Sequence, residues 1–226
     1  QLLTSYSTRL RAKRRLVLTA IQEQPEAVRF LERVAEGGLT APLLLLGQEG
    51  VGRRFSILET AQQSFSRYGA GDFHSFQIDR GAHPDVTIIA PAPDKRDIGI
   101  EAIRDVVEMA GTFPSTVPAR YVIIDGADFL SAAAANALLK TLEEPPKTTR
   151  FFLLAESLTE VLPTIRSRCG LVRYRPLSES FIVGQLAQHT SDQTKALVYA
   201  RLSGGSVGRA LQYLGAGRLA LRDQMV

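Results

Sequence analysis

Tryptophan is absent from the 226 residues, and cysteine occurs once, at Cys169. A single cysteine excludes an internal disulfide and any zinc site built from several cysteines. No apolar run approaches the roughly 20 residues that a membrane-spanning helix needs, so we predict no transmembrane segment. Nothing resembles a cleaved signal sequence, and we therefore expect a cytoplasmic protein with no membrane partner.

Acidic residues are also missing before Glu23, in a stretch where basic residues accumulate. The basic residues are Arg9, Arg11, Lys13, Arg14 and Arg15. The net charge of +4 is modest, but it is unevenly distributed. Such a run predicts contact with a nucleic-acid phosphate backbone, and a solvated helix face is an equally consistent interpretation.

Short apolar runs alternate with helical patterns, which predicts parallel βαβ units and an α/β fold. We predict strands at residues 43–46, 86–90, 121–125, 151–155 and 171–175, and helices at residues 53–64, 100–110 and 131–142. After Pro176 the pattern predicts helices only, at residues 179–189, 191–202 and 208–214, with a helix stop and an N-cap at residues 203–206. We therefore expect an α/β domain at residues 1–175 and a small all-α domain at residues 176–226.

The most informative motif follows the first predicted strand and spans residues 47–54. Gly47 and Gly52, with Gly50 between them, have the spacing of the phosphate-binding loop G-x-x-x-x-G-K-[ST]. Arg53 stands where the phosphate-binding lysine belongs, and Arg54 stands where a hydroxyl should hold Mg²⁺. Because an arginine cannot ligate Mg²⁺, we expect a loop that has lost hydrolysis. Backbone amides of residues 49–53 could still bind ATP or phosphate without hydrolysis.

A carboxylate at the end of a strand is the second element of a phosphate-loop site, where it holds Mg²⁺. Asp125 has this position at the end of the predicted strand 121–125. Gly126 occupies the place of a second acidic group that would polarise water, and Asp128 follows two residues later. We interpret Asp125 and Asp128 as a degenerate acidic site, with capping of a turn and of the next helix as the alternative.

Two further segments do not indicate a function by themselves. Residues 136–146, N-A-L-L-K-T-L-E-E-P-P, read as an amphipathic helix with a proline stop. Residues 167–169, S-R-C, lie between two predicted strands. An exposed arginine such as Arg168 near a sheet edge can act in trans on a neighbour's γ-phosphate.

Together these segments resemble the bacterial DNA polymerase III clamp-loader family of AAA+ proteins, over about residues 25–214. The loop, the H-P-D-V of residues 83–86, the D-x-A-D of residues 125–128, the N-A-L-L-K-T-L-E-E-P-P and the S-R-C occur in that order. Within the family, the defective loop resembles that of delta-prime subunits and differs from that of the ATP-hydrolysing gamma/tau subunits.

The resemblance implies an AAA+ phosphate-loop-type domain, a parallel sheet flanked by helices, followed by a small helical lid domain. It implies a non-hydrolysing clamp-loader subunit within the DNA polymerase III holoenzyme, in a hetero-pentamer with gamma/tau-type and delta subunits. Such pentamers load a sliding clamp on primer-template DNA in replication. Arg168 would be an arginine finger that completes the ATP site of the adjacent subunit. The alternative is an ATP-hydrolysing gamma/tau-type subunit with an atypical loop.

The chain departs from the family in several places. Many members carry a four-cysteine zinc module after the first helix, but residues 62–79 contain no cysteine, so we expect no zinc and no required cofactor. His74 and His83 cannot replace four ligands, and we interpret His83 as a turn residue. The family also ends with a helical collar that holds the pentamer together, and we expect a fragment from which it has been removed.

Two sensor positions of the family are also altered. Glu156 stands near the place of a polar phosphate sensor and would repel phosphate, whereas Ser157 could bond it. Arg209 resembles the second sensor arginine of the lid, and a helix N-terminal surface residue is the alternative interpretation.

Overall fold

A computed structural model describes residue 18 and residues 20–68, 71–92, 95 and 97–223, without the side chains of residues 71 and 216–223. The basic residues at positions 9–15 lie outside the described residues. Within the described part of the chain, no helix is both long enough and apolar enough to cross a membrane.

Five parallel strands form one sheet in the order β2-β3-β4-β1-β5. The strands are β1 Leu43–Leu46, β2 Val86–Ile89, β3 Arg120–Asp125, β4 Thr149–Ala155 and β5 Gly170–Arg173. The predicted α/β class is therefore confirmed. Because all strands are parallel, the sheet has a carboxyl edge, where every strand ends, and an amino edge, where every strand begins.

Helices flank the sheet and then continue alone after β5. The helices are α1 Pro25–Ala35, α2 Arg53–Phe65, α3 Gly71–Asp79, α4 Ile100–Ala110, α5 Ala132–Glu143, α6 Pro163–Arg166, α7 Glu179–Leu186, α8 Gln193–Leu202 and α9 Val207–Asp223. The predicted helix at residues 100–110 agrees with α4. The sequence prediction omitted α1, α3 and α6, and it ended α9 nine residues too early.

Side chains alternate between two cores along each central strand, as a period of two requires. Leu43 and Leu45 pack into one core with α1 and α2, whereas Leu44 faces the other core with α4 and α5. The last three helices have a separate core, formed by Leu177, Ile182, Leu186, Ala196, Ala200, Ala210 and Leu214. The division at residue 175 stays a prediction.

Residues 62–79, where many family members carry the zinc module, include α3. In this region His74 of α3 pairs with His83, and both side chains are buried. His74 Nδ1 and His83 Nε2 are 2.9 Å apart, and His83 Nδ1 accepts a hydrogen bond from the Asp85 amide at 3.0 Å. His83 Nδ1 therefore carries no proton, and the neutral ring donates from Nε2 to His74. His83 is a turn residue as predicted, since its carbonyl oxygen accepts from the Val86 amide.

Burial lowers the pKa of His83, and His74 lowers it further, while Asp85 opposes both effects. Asp85 is fully buried and accepts hydrogen bonds of 2.7 Å from the Ser115 amide, the Thr116 amide and the Thr116 hydroxyl. Burial alone would raise the pKa of Asp85, but these bonds and the charge of Arg120 outweigh it and lower the pKa. The histidine pair thus packs beside a carboxylate that stays ionised.

Candidate functional site at the carboxyl edge of the sheet

A cleft of about 720 Å³ lies at the carboxyl edge, between the sheet and helices α7 and α9. Six predicted site residues line it: Gly50, Gly52, Arg53, Arg54, Asp125 and Asp128. Gly47 is not part of the lining, because it packs beneath Tyr174, where an added Cβ would lie 2.8 Å from the tyrosine Cβ. The structure therefore brings the two predicted halves of the nucleotide site together.

Arg53 is buried at the first position of α2, and its side chain is only 7% exposed. Its Nη2 atom lies 3.8 Å from Glu156 Oε1, and its Nη1 atom has no hydrogen-bond partner among the described residues. Behind it, the Ser56 hydroxyl contacts the hydroxyl of Tyr174, and burial raises the pKa of that phenol. Arg53 is therefore a buried guanidinium that has one carboxylate near Nη2 and an unpartnered Nη1 atom among the described residues.

Arg54 pairs with Asp125, the carboxylate that the sequence assigns to the acidic half of the site. Its Nη1 atom donates to Asp125 Oδ2 at 3.3 Å, and the two side chains are 57% and 26% exposed. Since an exposed ion pair contributes little stability, about 0–1 kcal/mol, its main effect here is to occupy Asp125. In an active phosphate-loop site a carboxylate at the end of this strand binds Mg²⁺, whereas here Asp125 binds a guanidinium.

Asp128 lines the cleft and also binds the backbone just after the end of β4. Its Oδ2 atom accepts from the amides of Glu156 at 2.8 Å and Ser157 at 3.5 Å. The N-cap of α5 is Ser131, whose hydroxyl accepts from the Ala134 amide, so the alternative in which Asp128 caps this helix is wrong. Asp128 instead places Glu156 beside Arg53.

The start of α9 packs directly on the phosphate loop. The Gly208 amide donates to the Gly50 carbonyl oxygen at 3.2 Å, and Gln48 Nε2 donates to the Gly204 carbonyl oxygen at 2.7 Å. Gly50 has a φ of 77°, and an added Cβ would lie 2.3 Å from Ser206 Oγ. The sequence does not predict this contact, because nothing local in either segment signals a partner 156 residues away.

The residues at the two altered sensor positions are engaged by other groups of the chain. Glu156 is near Arg53, and the hydroxyls of Ser157 and Thr159 are 2.8 Å apart. The Arg209 amide donates to Ser206 Oγ, which confirms the predicted N-cap and places Arg209 in the first turn of α9. Arg209 does not line the cleft.

The charge of the cleft is unfavourable for a polyphosphate. Four carboxylates line it, from Glu49, Asp125, Asp128 and Glu156, against the two guanidinium groups of Arg53 and Arg54. Within the described residues, no group of three or more histidine, cysteine, aspartate or glutamate side chains could hold a metal ion. The excess of carboxylates over guanidinium groups in the cleft therefore opposes the binding of a polyphosphate.

Arg168 lies at the amino edge, far from the other predicted site residues. It precedes β5, whose first residue, Gly170, pairs with Leu43 at the start of β1, whereas the phosphate loop follows the last residue of β1. Arg168 Nη2 and Nε donate to Glu143 Oε2 at 2.9 and 3.2 Å. An open depression of about 420 Å³ is lined by Leu142, Glu143, Ser167 and Arg168.

Cys169, the residue after Arg168, has a partly buried thiol. Burial raises the pKa of this thiol to about 12, so it stays protonated.

A family model described as DNA polymerase III, delta subunit, matches residues 23–178. The chain belongs to this family. It is 42% identical over 132 residues to DNA polymerase III subunit delta' of Escherichia coli (strain K12), covering 58% of this chain and 40% of the relative. It is 30% identical over 194 residues to the delta' subunit of Pseudomonas aeruginosa, covering 81% and 58%. The predicted resemblance to delta-prime subunits is confirmed.

A solved structure of a DNA polymerase III gamma subunit-related protein from Thermotoga maritima matches with a TM-score of 0.54 at 24% identity. The match covers 77% of this chain and 57% of that protein, and it supports the fold alone. The chain spans less than two thirds of the length of each of these relatives.

Proposed function

We propose that the chain is a non-hydrolysing subunit of a replicative clamp loader that presents Arg168 to ATP bound by a neighbouring subunit. The position of Arg168 at the amino edge carries this proposal, because its own phosphate loop lies at the opposite edge of the sheet. An arginine so placed can meet only a phosphate brought by another molecule. A guanidinium that meets developing charge on the γ-phosphoryl group accelerates its transfer.

Three features of the cleft support the lack of hydrolysis by this subunit. Arg54 replaces the metal-binding hydroxyl and pairs with Asp125. Gly126 offers no second carboxylate for an attacking water. The carboxylates of the cleft outnumber its guanidinium groups and oppose a polyphosphate. The alternative, an ATP-hydrolysing gamma/tau-type subunit, would require a metal site that these residues do not offer. We propose that the subunit requires no cofactor and no zinc.

The partners follow from the same proposal. They are gamma/tau-type and delta subunits in a hetero-pentamer, a sliding clamp and primer-template DNA. Phosphate contact by the basic residues at positions 9–15 would be independent of base sequence and weakened by salt.

The decisive experiment reconstitutes the full-length protein with its gamma-type and delta partners and compares Arg168→Ala with the parent. An arginine finger contributes on the order of 10³ to 10⁵ in kcat at the site it serves, so we expect clamp- and DNA-stimulated ATP turnover to fall. Arg166→Ala, an exposed arginine of the same segment, is the matched control. Unchanged turnover with Arg168→Ala would contradict the proposal, as would ATP hydrolysis by the isolated subunit.

A further inference from the structure

Glu143 holds Arg168 along one side of its guanidinium group. The Nε and Nη2 atoms both donate to Glu143 Oε2, while Nη1 donates to the Thr164 carbonyl oxygen at 3.1 Å and lies 3.4 Å from Ser167 Oγ. Nη2 carries two N–H groups, and Glu143 is its one acceptor among the described residues. The guanidinium group of Arg168 is therefore held along its Nε–Nη2 side by Glu143. One N–H group of Nη2, at the outer end of the side chain, stays available as a donor.

Both residues come from the amino edge, by different routes. Glu143 is the last residue of α5, directly before the segment that leads into β4, and Arg168 follows α6 and precedes β5. Leu142 beneath Glu143 is buried, which anchors the end of α5 in the core. The Glu143 carboxylate therefore extends from an anchored part of the backbone, and it can orient the long, flexible side chain of Arg168.

We propose that Glu143 is a positioning residue for Arg168, keeping its outer N–H groups directed into the open depression where a neighbour's phosphate would enter. This inference rests on the proposed function of Arg168. Orientation of this kind reduces the entropy that a flexible arginine loses when it meets a phosphate. Glu143 itself does not contact the ATP.

The small energetic value of the pair favours a positioning role over a stabilising one. The side chains of Arg168 and Glu143 are 29% and 61% exposed, so solvent screens their attraction. Removing Glu143 should therefore leave the subunit folded and able to assemble. Its replacement would act on the orientation of Arg168 and hence on turnover.

The test measures kcat and KM for ATP in the reconstituted full-length loader with Glu143→Ala, Glu143→Gln and Glu144→Ala. Glu144 is the neighbouring exposed carboxylate, and its replacement changes the net charge equally. We expect Glu143→Ala to lower kcat on the order of tenfold with KM unchanged, because misorientation acts on the reaction step and not on ATP binding. Glu143→Gln keeps an acceptor for Nε and Nη2 and should retain most of the activity, and Glu144→Ala should match the parent.

In an Arg168→Ala background, Glu143→Ala should cause no further loss, since it acts through Arg168. An unchanged kcat with Glu143→Ala would overturn the inference. A raised kcat would also overturn it, because Glu143 would then withhold the arginine, and equal losses from Glu143→Ala and Glu144→Ala would assign the effect to the helix end. Normal turnover with Arg168→Ala is a different failure, since it would refute the proposed function itself.

Discussion

The Gly208 amide donates a hydrogen bond to the carbonyl oxygen of Gly50, and this contact joins α9 to the middle of the phosphate loop. In an active phosphate loop the backbone binds the ligand, because successive N–H groups are directed at the phosphate. Here the loop also serves as a docking surface for a helix. The absence of a Cβ at Gly50 permits this close approach, since Ser206 Oγ and the Gly208 backbone occupy the space.

Substitution of Gly50 by alanine should weaken the docking of α9. The left-handed conformation at Gly50 costs a residue with a Cβ about 1–2 kcal/mol. Overpacking against Ser206 and Gly208 typically adds about 1–3 kcal/mol. We expect a lower denaturation midpoint and faster hydrogen exchange of the Gly208 amide.

Gly52→Ala provides the matched control for that substitution. Gly52 also has a positive φ, of 95°, but nothing lies within 4 Å of an added Cβ. The Gly52→Ala substitution should therefore cost only the free energy of the left-handed conformation. It should leave hydrogen exchange of the Gly208 amide unchanged. Equal effects of the two substitutions would contradict the docking interpretation.

The sequence predicted those parts of the fold that local patterns encode. The helix at residues 100–110 was predicted correctly because Ile103, Val106 and Ala110 repeat at helical spacing and face the core. Helix α3 was missed because its apolar residues have no single buried face, and Phe73 and Phe76 are exposed. The predicted end of α9 was too early. Residue 214 is followed by Gly215, and glycine commonly ends a helix, but here the helix continues to Asp223.

The candidate site was predictable in its composition but not in its contacts. The loop spacing identified Gly50, Gly52, Arg53 and Arg54, because the motif is contiguous. The pairing of Arg54 with Asp125 and that of Arg168 with Glu143 join residues 71 and 25 positions apart. Such contacts depend on strand order and register, which a single sequence does not specify.

The burial of His83 should make stability depend on pH. Burial lowers the pKa of His83, so the unfolded chain binds the proton more tightly than the folded chain. The free energy of unfolding then rises with pH between the lowered pKa and the unfolded value of about 6.5, by at most about 1.4 kcal/mol per pH unit. This contribution is complete above the unfolded pKa and is lost as the pH falls below it. Asp85, which also faces His83, stays ionised in this range because its pKa is lowered.

Urea unfolding between pH 5 and 8 tests this prediction with the parent and His83→Asn. The asparagine oxygen can accept the Asp85 amide in place of Nδ1, but the side chain does not titrate. We expect a lower absolute stability for the variant, together with a flatter dependence on pH. The same slope in both proteins would show that another group causes the dependence.

The phosphate loop should regain nucleotide binding when its missing groups are restored. In the triple variant Arg53→Lys, Arg54→Thr and Glu156→Asn, the lysine and hydroxyl of the motif return, and Asp125 is released from its arginine partner. Removal of the Glu156 carboxylate also reduces repulsion of the phosphates. Calorimetric titration with Mg²⁺ and ATP should then detect saturable binding that the parent lacks.

Adding Asp125→Asn to the triple variant separates metal binding from the other changes. If Asp125 holds Mg²⁺ once Arg54 is gone, this addition should weaken binding in the presence of Mg²⁺ more than in its absence. Saturable ATP binding by the parent would show that the backbone amides of residues 49–53 suffice and that the substituted arginines do not exclude nucleotide. Failure of the triple variant to bind would assign the exclusion to α9, whose contact with Gly50 remains in every one of these proteins.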